Sequence, residues 1–333
     1  MLKLQVVAAA MLLFCTVKVE GMGNLLPGDP DDSHFYEASN QCEGKKVELA
    51  NIDCMLQPED FALGTKEQSG VNITPGYQGD LEVSSVPITD PYYMVGMCPV
   101  NVHWHLGTEH YSEGEFDETG TGPDSDYRRR LAESEIIRMG YRCHFYDESD
   151  YHFTTEYDWK YCVDMHVGET YEVHWPHSSL GDCGGVDQYQ APFYDGVFCN
   201  IADDLSNLGD AKIGVQGQIF TIINDESYYY PNLISGMIVD QGDMGTDVAK
   251  YTGSTTGTSR DNTMCSQYTG ITWQVDRHCH LISASSFDKM CYDMLNMKDD
   301  MSGDLHAHGS RELVDDAFAA NNQQRRLRHF ERV

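Results

Sequence analysis

VNVHWHLGTEH, residues 100–110, sets His103 and His105 two positions apart inside a run of alternating apolar residues. In an extended chain alternate side chains share a face, so Asn101, His103 and His105 point one way while Val102, Trp104 and Leu106 point the other. Two imidazoles so spaced stand about 6–7 Å apart, close enough to converge on one ion. The stretch is therefore predicted to be a strand with one ligand-bearing face and one core-bearing face, and it asks for a third ligand.

ETYEVHWPH, residues 169–177, is the best source of that ligand, because Glu172 and His174 share one strand face and Val173 and Trp175 the other. If the two strands are neighbours, His103, His105 and His174 make a three-nitrogen site. Zinc with three protein ligands leaves its fourth position open to water, the arrangement of catalytic sites, whereas structural sites are closed by a fourth ligand, most often cysteine. A ligating imidazole gives its other N–H to an acceptor that fixes its aim. Asn101 stands two before His103 and Glu172 two before His174, each in position for that task. Trp104 and Trp175 are expected in the core. His278 and His280, and His306 and His308, repeat the one-residue spacing. The first pair flanks a cysteine expected to be oxidised and the second lies in a Gly/Asp-rich stretch without strand character, so neither is assigned to the centre.

Short alternating or β-branched runs recur between Gly, Pro, Asp and Asn clusters: LEVSSVPI, MCPVNVHWHLG, ETYEVHW, KIGVQGQIFTII and GITWQV. Helical periodicity is confined to residues 125–140, to 285–297 and to RELVDDAFAANNQQRRLRHF near the C-terminus. The fold class predicted is mainly β (α+β), a large central twisted mixed sheet with a few peripheral helices. The acidic, aromatic stretch 111–160 is read as decoration of that scaffold.

Residues 1–21 carry Lys3, an apolar run from Leu4 to Val17 and a small residue at Gly21, which reads as a signal peptide and predicts secretion. The run is shorter than the roughly 20 residues of a membrane span, and no later stretch comes closer. One domain is then expected over 22–333. Cys15 leaves with the leader, and ten cysteines remain in a compartment where disulfides persist. No C-x-x-C pair favours a thiolate metal site, and the pairing is not readable from spacing. Asn72-Ile-Thr74 is a candidate glycosylation acceptor. The formal net charge of −31 excludes nucleic acid and anionic membrane surfaces as partners, since both would be repelled.

These motifs resemble a known family. VHWHLGTEH is similar to the His-x-His strand and following Glu-His of α-class carbonic anhydrases, and YEVHW to their Glu-x-His strand. KIGVQGQIF, then YTGSTTG, then GITWQV resemble that family's apolar strand, its Tyr-x-Gly-Ser-x-Thr loop and the Thr-Trp strand after it. The order agrees over 97 to 290. The long acidic insertion, the abundant cysteines and the form CPVNVHWHLGTEH look most like the δ class of marine algae.

The resemblance implies hydration of CO2 to bicarbonate on zinc held by His103, His105 and His174, with cobalt or cadmium as substitutes. It implies second-layer roles for Asn101 and Glu172, a hydroxyl gatekeeper at Thr256 and an orienting carboxylate at Glu109. Thr255 stands where the α class has a leucine at the pocket wall, and Gly257 replaces a threonine, which implies a more polar pocket. No α-class proton shuttle is matched in 41–99; His110 and His177 are the candidates left. Two rivals remain. His103-x-His105-x3-Glu109 also fits the first cupin motif, with Glu109 as a fourth ligand, although the second cupin motif is missing around His174. A carbonic-anhydrase-like binding protein without turnover is the other. The sequence is silent on oligomeric state.

Overall fold

β6 (Thr170–Ser178) and β7 (Ile213–Ile223) are the middle of the molecule, and in a computed structural model they are almost wholly buried. The structure describes residues 51–53, 70–82, 86–123, 138–181, 183, 188–193, 212–254, 264–266, 271–299 and 301–320, all within the compact unit 35–333. The expected leader, the helix expected around 125–140, and Thr255, Thr256 and Gly257 lie outside the described residues, apart from Arg138 to Gly140.

The remaining strands are β1 (Asn51–Asp53), β2 (Cys98–Pro99), β3 (His103–Leu106), β4 (Phe116–Asp117), β5 (Arg142–Cys143), β8 (Val248–Gly253), β9 (Met264–Ser266) and β10 (Ile271–Ser283). Six of them form one mixed sheet in the order β2-β6-β7-β10-β8, with β3 following β2 along the same edge of β6. β7 and β10 run parallel, and the other pairings are antiparallel. β1 with β9, and β4 with β5, make two small ladders. The expected mainly β architecture with one large mixed sheet is the one observed.

Alternation along the strands sorts side chains between two cores, as a period of two requires. Trp104, Leu106, Tyr171, Val173, Trp175, Phe220 and Ile222 enter one core, which α2 (Ala284–Met297), the helix after the single turn α1 (Tyr151–Thr154), covers through Phe287, Met290 and Met294. Ile213, Val215, Ile219, Tyr251, Trp273 and Val275 enter the other. Trp104 and Trp175 are fully buried, as the sequence reading expects. The Ser283 side chain caps the N-terminus of α2, accepting from the Ser286 N–H.

Two irregularities shape the sheet. Pro99 pairs with His177 and His103 with His174, so three residues of the edge face two of β6: a bulge, with Val100 N–H still donating to Pro176 O at 2.9 Å. β10 has two extra residues against β7 between Val275 and Cys279. Two is an even number, so Cys279 stays in the same core as Val275.

Three expectations need correction. Residues 311–320 form turns and bridges rather than a helix: the Val314 N–H donates to Gly70 O, and Arg311 is drawn into an ion pair with Glu109. The described part of LEVSSVPI holds only an isolated bridge from Leu81 to Ala320. Stretch 111–160 is more than decoration, because Cys143 is bonded to Cys279 and Arg142 pairs with Glu169 at 2.7 Å, tying β5 to the main sheet. Cys98–Cys183 and Cys162–Cys291 are two further disulfides. Among the described residues no helix is long and apolar enough to cross a membrane.

Candidate metal centre

β3 and β6 are in register such that His103 is directly opposite His174 and His105 opposite Glu172. All four side chains fall on the face away from Trp104, Val173 and Trp175, because neighbours on a strand alternate. The imidazoles of His103, His105 and His174 consequently meet. Their ring centroids are 5.2, 5.2 and 4.7 Å apart, and one ring nitrogen from each lies within 4.8 Å of the others.

A backbone carbonyl fixes the His105 ring. His105 Nδ1 is 2.9 Å from Gly309 O, and a carbonyl only accepts, so Nδ1 carries the proton. His105 Nε2 is then an acceptor, buried, and without a hydrogen-bond partner. An orphaned buried acceptor of this kind is costly unless a cation or water meets it. Three imidazoles within a few ångströms, those of His105 and His174 each with a buried nitrogen that meets no hydrogen-bond partner, suit a borderline-soft divalent ion such as zinc, whose nitrogen ligands sit about 2.0–2.1 Å away. Burial, then the charge of neighbouring His105 and His174, holds His103 well below the usual imidazole range. Burial likewise takes His105 down to about 4, against the pull of Glu109. Both groups are therefore ready as neutral ligands.

Glu172 is the hub beneath the rings. Its Oε1 is 2.5 Å from His110 Nδ1 and 3.0 Å from His174 Nε2, and its Oε2 accepts the Glu109 N–H at 2.5 Å. A carboxylate only accepts, so His110 Nδ1 carries a proton, and its Nε2 shares a hydrogen bond with the Tyr251 hydroxyl, 2.7 Å away. Burial works to raise the Glu172 carboxyl, but His110 and His174 hold it well below the usual range. Burial, reinforced by Glu172, keeps the Tyr251 phenol neutral. Trp273 forms the floor, its ring 5.0 Å from His174 and 5.2 Å from His110.

Glu109 is buried and ion-paired. Its carboxylate meets the Arg311 guanidinium at 3.2 Å and lies 3.6 Å from His105 Nδ1. Burial opposes its ionisation, yet Arg311, followed by His105, brings its pKa down to about 2. The cupin reading needs this carboxylate as a fourth ligand, and it is instead committed to Arg311. Asn101 falls in the bulge before β3, so the strand reading does not extend to it. His177 is buried on the other end of β6 with Nδ1 2.7 Å from Trp175 O, away from the three rings.

Residues that sequence reasoning passed over complete the surroundings. The segment ahead of Arg311 lies along the open edge of β3, the His308 N–H donating to Trp104 O and the Leu106 N–H to His308 O, both at 2.8 Å. The His308 ring thereby stacks on His103 at 5.5 Å. Only the His306/His308 spacing hinted at this, and it carries no strand periodicity. Tyr251 was visible as the first residue of YTGSTTG, but nothing in the sequence assigns it to His110.

The family described as Delta carbonic anhydrase matches residues 94–286, more than half of the chain. No curated protein sequence matches. Among solved structures, the α-carbonic anhydrase from Thermovibrio ammonificans in complex with the inhibitor sulfanilamide is similar at 13% identity, covering 74% of this chain and 84% of that one. The TM-score of 0.27 is too low for that superposition to place any residue.

Proposed function

This chain belongs to the delta carbonic anhydrase family, and from that premise we propose that it is a secreted zinc enzyme that hydrates CO2 reversibly to bicarbonate and a proton. The carrying observation is the meeting of His103, His105 and His174, with His105 Nε2 buried and unpartnered. These three residues hold the ion. Zinc held there would supply Lewis acidity that lowers the pKa of water to about 7, a value established for carbonic anhydrases in general.

The chain's own groups do the rest. Gly309 O fixes the tautomer and aim of His105, and the same task is assigned to Glu172, 3.0 Å from His174 Nε2, toward His174 and to Asn101 toward His103. Thr256 is assigned the hydroxyl that orients the nucleophile. It follows two residues after Ser254, whose carbonyl accepts from Trp273 Nε1 at 2.9 Å on the floor of the centre. Glu109, ionised beside Arg311, is the acceptor for that hydroxyl. Thr255 and Gly257 flank it in sequence and are assigned to the pocket wall. The three disulfides among the described residues suit the secretory route.

The test is a CO2-hydration assay on purified protein with metal analysis. Activity that is lost to a chelator, returns with zinc and is abolished in His103→Ala is the expected outcome. A folded, zinc-loaded wild-type protein with no turnover overturns it and leaves a binding protein.

A further inference from the structure

Asp304, His306 and His308 offer a second set of ligand atoms, none shared with the first centre. One atom from each lies within 4.8 Å of the others. The backbone of this segment is not free to wander, because His308 is hydrogen-bonded on both sides to β3, to Trp104 O and from the Leu106 N–H. Asp304 is buried, with its carboxylate oxygens 2.9 and 3.0 Å from His308 Nε2. His306 is the outward member, its side chain 51% exposed and its Nδ1 3.9 Å from Asp304 Oδ1.

A nitrogen and a carboxylate oxygen about 2.9 Å apart need to open by only about 0.5 Å to reach the roughly 3.3–3.6 Å between adjacent ligands on a tetrahedral ion with bonds of about 2.0–2.2 Å. Where the His308 N–H now bridges to Asp304, an ion displacing that proton meets both groups with little movement. His306 needs only a turn of an exposed side chain to join them. Two imidazoles and one carboxylate are the donor set of first-row divalent ions such as zinc or cobalt, and the solvent side leaves room for water ligands.

We propose that Asp304, His306 and His308 form a second divalent-cation site, separated from the first by the stacked rings of His308 and His103. It does not depend on the reading of the first centre. Its affinity is the lower of the two, because an exposed side chain must be ordered and an ion at the neighbouring centre repels a second like charge. The negative charge of Asp304 offsets part of that repulsion.

Equilibrium dialysis of the full chain, stripped with chelator, against rising free Zn2+ decides it. Two binding steps are expected, the second at tenfold or more higher free zinc. His306→Ala, an exposed change that leaves the fold intact, keeps the first step and moves the second at least tenfold upward or removes it. His105→Ala does the reverse. A single step in wild type that His306→Ala leaves unchanged, or a second step indifferent to His306→Ala as surface carboxylates would give, overturns the proposal. A single step that survives His105→Ala and vanishes in His306→Ala supports the proposal while removing the first centre.

Discussion

Glu172 does three jobs with two oxygens, and that economy makes it the most sensitive single residue below the rings. It accepts from His110 and from the Glu109 backbone and stands 3.0 Å from His174 Nε2. Glu172→Gln keeps the volume but places an NH2 where an acceptor is needed, setting donor against donor toward either the Glu109 N–H or the imidazoles. Weakening the partner of a ligating histidine costs about 10–100-fold in metal affinity. Competition between the protein and a calibrated zinc chelator should show a loss of that size in E172Q, with near-ultraviolet dichroism reporting that the fold persists. Unchanged affinity would mean that Glu172 serves packing alone. In the sequence, Glu172 was placed beside His174 by strand parity, and that much was legible. Its stronger partner, His110, was not, because a contact between residues 62 apart depends on the pairing of β3 with β6.

At the scale of elements, the end of β3 decides where Glu109 and His110 go. Gly107 has a φ of +72°, and a Cβ there would come within 2.6–2.7 Å of the Gly140 backbone. Gly107→Ala thus meets backbone it cannot push aside and a conformation that L-residues avoid. The cost is expected at about 2 kcal/mol or more, read as a lowered urea midpoint at unchanged m-value, together with weaker zinc retention because the Glu109 N–H loses its register on Glu172. Gly76, with a φ of +87° and open space around it, is the control that tests strain without the clash. β3 and β6 were legible because apolar and polar residues alternate with period two in both. The bulge between Pro99 and His103 was not, since VNV continues the alternation unbroken and only the partner strand reveals the extra residue. The segment 304–311 was illegible for another reason: it joins β3 through backbone hydrogen bonds, which leave no side-chain pattern. The expected C-terminal helix failed in its described part because Arg311 answers to Glu109, a residue 202 positions away, and not to its own neighbours.

Taken whole, the molecule has disulfides joining residues 85, 136 and 129 apart, so the long irregular stretches between strands are held by covalent links as well as by the two cores. What remains most exposed to solution conditions is the buried ionisable cluster, and its sign can be worked out. Burial lowers His105 to about 4 and His177 to about 4, and takes His103 in the same direction. Between the unfolded imidazole value near 6.5 and about 4, the unfolded chain binds protons at these positions that the folded chain refuses, so stability is full above that window and falls as pH drops through it. Glu109, lowered to about 2, adds a further loss from about 4.5 downward. His278, raised chiefly by its hydrogen bond to Glu115, acts the other way, but it is one partly exposed group against three buried ones. The net charge of −31 also opposes the trend, since acid relieves self-repulsion. At about 1 M salt the screening length is about 3 Å, and that repulsion is largely removed while buried groups are little affected. Urea unfolding of the metal-free protein at that salt should therefore show a midpoint that is level above pH 7 and declines steadily from pH 6.5 to 4. Zinc-loaded protein should decline more steeply over the same interval, because protons then compete with the ion for the same three nitrogens. A midpoint that is flat or rises on acidification to pH 5 in both forms would show that His103 and His105 are not held neutral by burial, and with that the preparation of the centre for a cation would be lost.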